Sequence, residues 1–122
     1  MVEETMARKL VAQWVEEIDV KQTAENLRDI LTDDWVVHQP GKNMGVEEIK
    51  ENYRRRFAEG KVSAVVESLF ISGDIVVVMW TEKFTPYSTG LETCGASITI
   101  DKVRDGKFSE TWYLRSDKPW IK

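Results

Sequence analysis

The chain has 122 residues, 42% apolar and 31% charged side chains, a net formal charge of −4 and a pI near 5.1. That length builds one hydrophobic core and one domain, residues 1–122. The acidic balance excludes a basic stripe for nucleic acid, the single Cys94 excludes an internal disulfide and speaks against a zinc cluster, and no apolar run approaches the roughly eighteen residues of a membrane span.

The charged opening "MVEETMARKLVAQWVEE" does not read as a signal peptide, so a cytoplasmic location is expected. From residue 3 to 19, Met6, Leu10, Val11, Trp14, Val15 and Ile18 form one apolar stripe at helical spacing. A shorter helix is expected from Thr23 as N-cap, with Leu27, Ile30 and Leu31 turned inward. Trp35 to Gln39 reads as a strand stopped by "PGKNMG". A third helix begins near Val46, aligns Ile49, Tyr53 and Phe57, pairs Glu51 with Arg55 and ends on a Gly60 cap. Arg54, Arg55 and Arg56 read as its solvated face.

Beyond Gly60 the chain turns β-rich. "KVSAVVESLFI", "IVVVMWTEKFT", "CGASITIDKV" and "KFSETWYLR" are strands, with "SGD" and "RDG" as hairpin turns and "TPYSTGLET" as a longer loop. Helices followed by an antiparallel meander predict an α+β fold, with helices packed on one face of a curved sheet.

Alternation along the strands sorts residues by polarity. Thr81, Lys83 and Thr85 oppose Trp80 and Phe84; Ser97, Thr99 and Asp101 oppose Ile98 and Ile100; Ser109, Thr111 and Tyr113 oppose Phe108 and Trp112. Either the apolar face packs on the helices, or the polar face lines a cavity and the apolar face meets a second subunit. Five tryptophans suit pocket walls or interfaces.

The order and spacing of "AQWVEEID", "LTDDWVVHQPG", "MGVEEIKENYRRRF", "ISGDIVVVMWTEKFT" and "ITIDKVRDGKFSETWYLRSD" resemble the nuclear transport factor 2-like superfamily, the cystatin-like α+β cone. Within it the chain is most similar to the SnoaL-like polyketide cyclase and ketosteroid isomerase branch. The resemblance spans nearly the whole chain. It implies a polar cavity inside the curled sheet, a homodimer through the outer sheet face, and proton-transfer chemistry without metal or organic cofactor. The dimer face would then be Trp80, Phe84, Ile98, Ile100 and Trp112.

Carried over position by position, the resemblance puts Trp14 where isomerases have a tyrosine oxyanion donor. Gln39 stands where they have a carboxylate base before a proline, and a shift of one residue puts His38 there. Thr99 takes the place of the second isomerase donor and of the cyclase histidine. Tyr113 takes that of the cyclase aspartate, and Lys83 and Thr85 those of an arginine and aspartate in epoxide hydrolases. The acids of the best-understood relatives are thus replaced. That argues against steroid isomerisation, an aspartate-based aldol cyclase and limonene-type epoxide hydrolysis.

The expected site therefore has His38, the only histidine, as proton carrier, Asp101 as the alternative base, and Tyr113 and Thr99 as polarising donors. Trp14, Gln39, Tyr53, Lys83 and Thr85 would contact the ligand. The expected activity is that of a small cofactor-independent isomerase, cyclase or dehydratase acting on an apolar carbonyl compound. The competing reading is a non-catalytic ligand-binding or accessory dimeric domain.

Overall fold

The structure, a computed structural model, describes residues 2–121. Helix α1 (Glu4–Val15) runs into one π-helical turn (Glu16–Val20), burying Leu10, Val11 and Ile18 of the expected stripe, while Ala7 takes the inward place expected for Met6, which is exposed. The second expected helix is reduced to a single 3₁₀ turn, Leu27–Asp29. Gln22 turns left-handed at φ 53°, and the buried Glu17 carboxylate accepts the Asn26 backbone N–H at 2.7 Å. A segment so short cannot offset the cost of helix nucleation, and these tertiary bonds offer its backbone another course. Leu27, Ile30 and Leu31 are nonetheless buried, as their pattern required.

Strand β1 (Leu31–Gln39) starts earlier than the sequence suggested. Pro40 and Gly41 (φ 78°) do not end it in a loop but turn it into β2 (Lys42–Gly45). Helix α2 (Val46–Glu59) follows, its start tied by the Gly45 N–H donating to Glu48 Oε1 at 3.1 Å. Gly60 ends α2 with extended backbone, not a left-handed cap. It is glycine because an added Cβ would lie 2.5 Å from the Thr85 carbonyl oxygen and 2.8 Å from the Phe84 ring. On the exposed side of α2 it is Arg54, not Arg55, that pairs with Glu51, and it also binds Glu25 across the surface.

Strands β3 (Gly60–Ser72), β4 (Ile75–Pro86), β5 (Thr93–Arg104) and β6 (Lys107–Ser116) form the predicted meander. Its turns use the left-handed Gly73 and the pair Asp105 and Gly106. The six strands lie in the order β2-β1-β6-β5-β4-β3, all antiparallel except β1 against β6. The two helices pack on one face of this curved, open sheet, which is the α+β cone.

The outer edge, β3, is closed by side chains from the π-helical turn and the residues just after it. Gln22 accepts from the Val62 N–H at 2.9 Å and donates to the Val62 carbonyl at 2.6 Å, while Asp19 accepts from the Ala64 N–H at 2.9 Å. These side chains stand in for the missing strand.

Cross-strand register decides which residues face the helices. It pairs Val76 with Asp101, Val78 with Thr99 and Trp80 with Ser97, then Asp101 with Thr111 and Thr99 with Tyr113. On β5 and β6 the polar alternates therefore face inward, as expected. On β4 the expectation was reversed. Val76, Val78 and Trp80 are buried inside, Phe84 packs against the core, and Thr81, Lys83 and Thr85 alternate with them. Trp80 and Phe84 are thus core residues and not part of the outer face. A bulge between Lys102 and Val103 also turns Phe108 inward although Trp112 faces out.

Candidate active site in the cone

Between α1, α2 and the concave sheet lies a cavity of about 290 Å³, at the small end of the range for ligand sites. Trp14, Tyr53, Trp35 and Trp80 supply its aromatic walls. Trp14 and Tyr53 meet edge to face at 5.9 Å between ring centroids, and Tyr53 stacks on Phe57.

At the closed end sits Asp101, 6% exposed. Thr111 Oγ1 donates to Asp101 Oδ1 at 2.6 Å and accepts from Trp35 Nε1 at 3.0 Å. The second arm mirrors the first: Thr99 bonds the Asp101 carboxyl, and its Oγ1 accepts from Trp80 Nε1 at 2.9 Å. An indole N–H only donates, so each threonine must accept from its tryptophan and give its own proton to Asp101. Two indole–threonine arms therefore hold one carboxyl in place. Burial pushes Asp101 up to about 7, against the opposing pull of the Thr111 and Thr99 hydrogen bonds. A carboxyl poised near neutrality at the end of a cavity suits proton transfer.

Toward the more exposed end, the Tyr113 hydroxyl donates to Glu82 Oε2. Burial and the Glu82 charge push the Tyr113 phenol well above its ordinary range, so it stays neutral with its proton committed to Glu82. The Tyr53 phenol is also raised, by burial first and the Glu82 charge second. Its hydroxyl has no hydrogen-bond partner among the described residues.

Of the residues expected from sequence, Asp101, Thr99, Tyr113, Trp14, Gln39, Tyr53 and Lys83 line the cavity. Thr85 does not; it lies beside Lys61 at the β3–β4 end of the sheet. Nor does His38. It pairs across strands with Trp112, stacks on that ring at 5.3 Å, and bonds Glu110 through Nε2 at 2.6 Å, all on the outer face. The sequence reading placed it at the pocket mouth, but Val37 and Gln39 take the inward positions and alternation sends His38 out. Trp35, Trp80, Glu82, Ser97, Thr111 and Arg56 line the cavity without having been singled out as site residues. For Thr111 and Ser97 the alternation that found Asp101 was already signal enough.

The family model for the SnoaL-like domain matches residues 11–111, which include both arms and the carboxyl they hold. The chain belongs to the SnoaL-like domain family. Among solved structures the SnoaL-like domain superposes on TsrD from Streptomyces laurentii with a TM-score of 0.81, at 17% identity over 94% of this chain and 91% of that one. IdmH from Streptomyces antibioticus, a proposed polyketide cyclase, matches at a TM-score of 0.78 and 21% identity, over 91% and 92% of the two chains. An LEH-like epoxide hydrolase of M. tuberculosis matches at 0.77 and 16% identity, over 92% and 84%. At these identities the likeness carries the fold, and the site must carry the chemistry. No curated protein sequence matches this chain at significance. Among the described residues no helix is long and apolar enough to cross a membrane, and no cluster of metal-ligating side chains occurs.

Proposed function

We propose that this SnoaL-like domain is a cofactor-independent isomerase, cyclase or dehydratase that moves a proton next to a carbonyl group, with Asp101 as the base. The observation that carries this reading is the buried Asp101 carboxyl, poised near neutrality by two indole-anchored threonines at the end of an aromatic cavity. Ionised Asp101 takes a proton from the carbon beside the carbonyl, and the resulting acid returns it elsewhere on the same skeleton. The developing oxyanion needs an uncommitted donor. Thr99 and Tyr113 are spent on Asp101 and Glu82, which leaves the Tyr53 hydroxyl, the Gln39 amide and the Lys83 ammonium, besides Arg56 and Ser97, among the lining groups.

Exchange of α-protons of enolisable ketones in deuterium oxide tests this directly. The exchange rate should rise with pH through about 7 as Asp101 ionises, and Asp101→Asn should lower it by about 10²–10⁴-fold. Absence of exchange in the parent protein across a broad panel leaves the second reading, a non-catalytic binding domain. That reading is favoured by the commitment of the Tyr113 and Thr99 protons within the protein.

The dimer belongs to the same proposal, with a corrected surface. Phe70, Ile100, Trp112 and Leu114 are 57%, 40%, 40% and 62% exposed. With Ile98 they form the outer apolar face, a patch that monomers rarely leave open.

A further inference from the structure

Two buried side-chain polar atoms lack a hydrogen-bond partner among the described residues, Arg56 Nε and Ser97 Oγ, and both belong to residues lining the same cavity. Buried polar groups are normally satisfied, and a native orphan calls for an explanation. Ser97 is 3% exposed and sits on β5 beside Trp80. Arg56 comes from α2 on the opposite wall and makes no ion pair among the described residues, unlike its neighbour Arg54. Its guanidinium lies over the Phe84 ring at 5.1 Å. This cation–π contact holds the guanidinium in place while its Nε–H remains without an acceptor and suits an oxyanion.

Neither acid lining the cavity forms an ion pair with this cation among the described residues. Glu82 accepts a hydrogen bond from the Tyr113 hydroxyl, and Asp101 lies four residues along β5 from Ser97, about 13 Å of strand. Arg115, which also borders the cavity, is paired with Asp117.

We propose that the cavity selects a ligand carrying a carboxylate at the end remote from its reacting carbonyl, with Arg56 binding that carboxylate and Ser97 donating to it. The occupant is then an amphiphilic keto acid and not a wholly apolar carbonyl compound. Its aromatic or aliphatic body lies between Trp14 and Trp80, and its carbonyl end points toward Asp101. This rests on the proton-transfer reading only for the direction in which the ligand lies, not for the carboxylate site.

The test compares 3-(4-acetylphenyl)propanoate with its methyl ester, by quenching of the cavity tryptophans. The parent protein should bind the acid at least tenfold more tightly than the ester. Arg56→Gln should bring the two within about twofold by weakening the acid alone. Ser97→Ala, which removes an unpaired hydroxyl and leaves the fold intact, should weaken the acid about threefold without changing the ester. Equal or tighter binding of the ester by the parent, no binding of the acid, or an acid preference that survives both substitutions would overturn the proposal. Asp101→Asn should retain the preference for the acid while losing proton exchange. A preserved preference with no exchange in any variant would therefore overturn the catalytic reading and leave this one standing.

Discussion

Residues 110 to 113 contribute to both faces of one sheet, and the two faces have opposite chemistry. Thr111 and Tyr113 point into the cone, where the hydroxyl of each has a defined acceptor. Glu110 and Trp112 point outward, where they hold His38 by a hydrogen bond and a stack. His38 has the side chain whose ordinary pKa lies nearest neutrality, yet the group poised there in the cavity is an aspartate. In the proposed mechanism, position relative to the sheet, and not residue type, selects the proton carrier. Burial moves a carboxyl to where an imidazole starts.

The comparison would break first on the outer face. Trp112→Arg places a charge in the apolar patch, and any dimer held there should dissociate at least 100-fold more readily in sedimentation. A parent that sediments as a monomer at micromolar concentration removes the outer face from the proposal and leaves the inner one untouched.

A second measurement sharpens the inner face. The folded Asp101 binds its proton up to about pH 7, whereas the unfolded chain releases it near the ordinary value of 3.8. Its contribution to stability is therefore full below the unfolded value and lost as pH rises through the folded one. Asp101→Asn keeps the side chain neutral throughout. Its stability relative to the parent should improve between pH 5 and 8 by about 1–3 kcal/mol in urea unfolding. A pH-independent difference would show that Asp101 is not held near neutrality.

The smallest effect is expected at the residue that looked most catalytic. His38→Gln should leave proton exchange and its pH profile unchanged within about twofold, since the ring is on the far side of the sheet. A shift in that profile would return His38 to the mechanism.

What could be read from the sequence follows the same division. Periodicity found α1, α2 and the meander, and on β5 and β6 alternation named Asp101, Thr99, Thr111 and Tyr113 as one face. It failed on β4, where Trp80 is both an apolar core residue and the anchor of Thr99, so sorting by polarity split a face that register keeps whole. It failed again at Phe108, because a bulge shifts parity without any mark in the alternation. Arg56 was hidden for another reason. It stands three residues after Tyr53 and seven after Ile49, on the inner side of α2, but its charge grouped it with its two neighbours that face water.

The seal along β3 has a consequence for how copies of the chain can assemble. An open strand edge is a template that accepts another strand indefinitely, giving a ribbon with no natural end. Here Gln22 and Asp19 already occupy that template at Val62 and Ala64, and at the opposite edge β2 offers only four residues. Lateral growth is discouraged at both margins, which leaves the broad convex face. A face that meets its own copy does so about a twofold axis, and such pairing closes at two. One glutamine in a left-handed turn thus narrows the ways in which copies of the chain could pair at the start of β3.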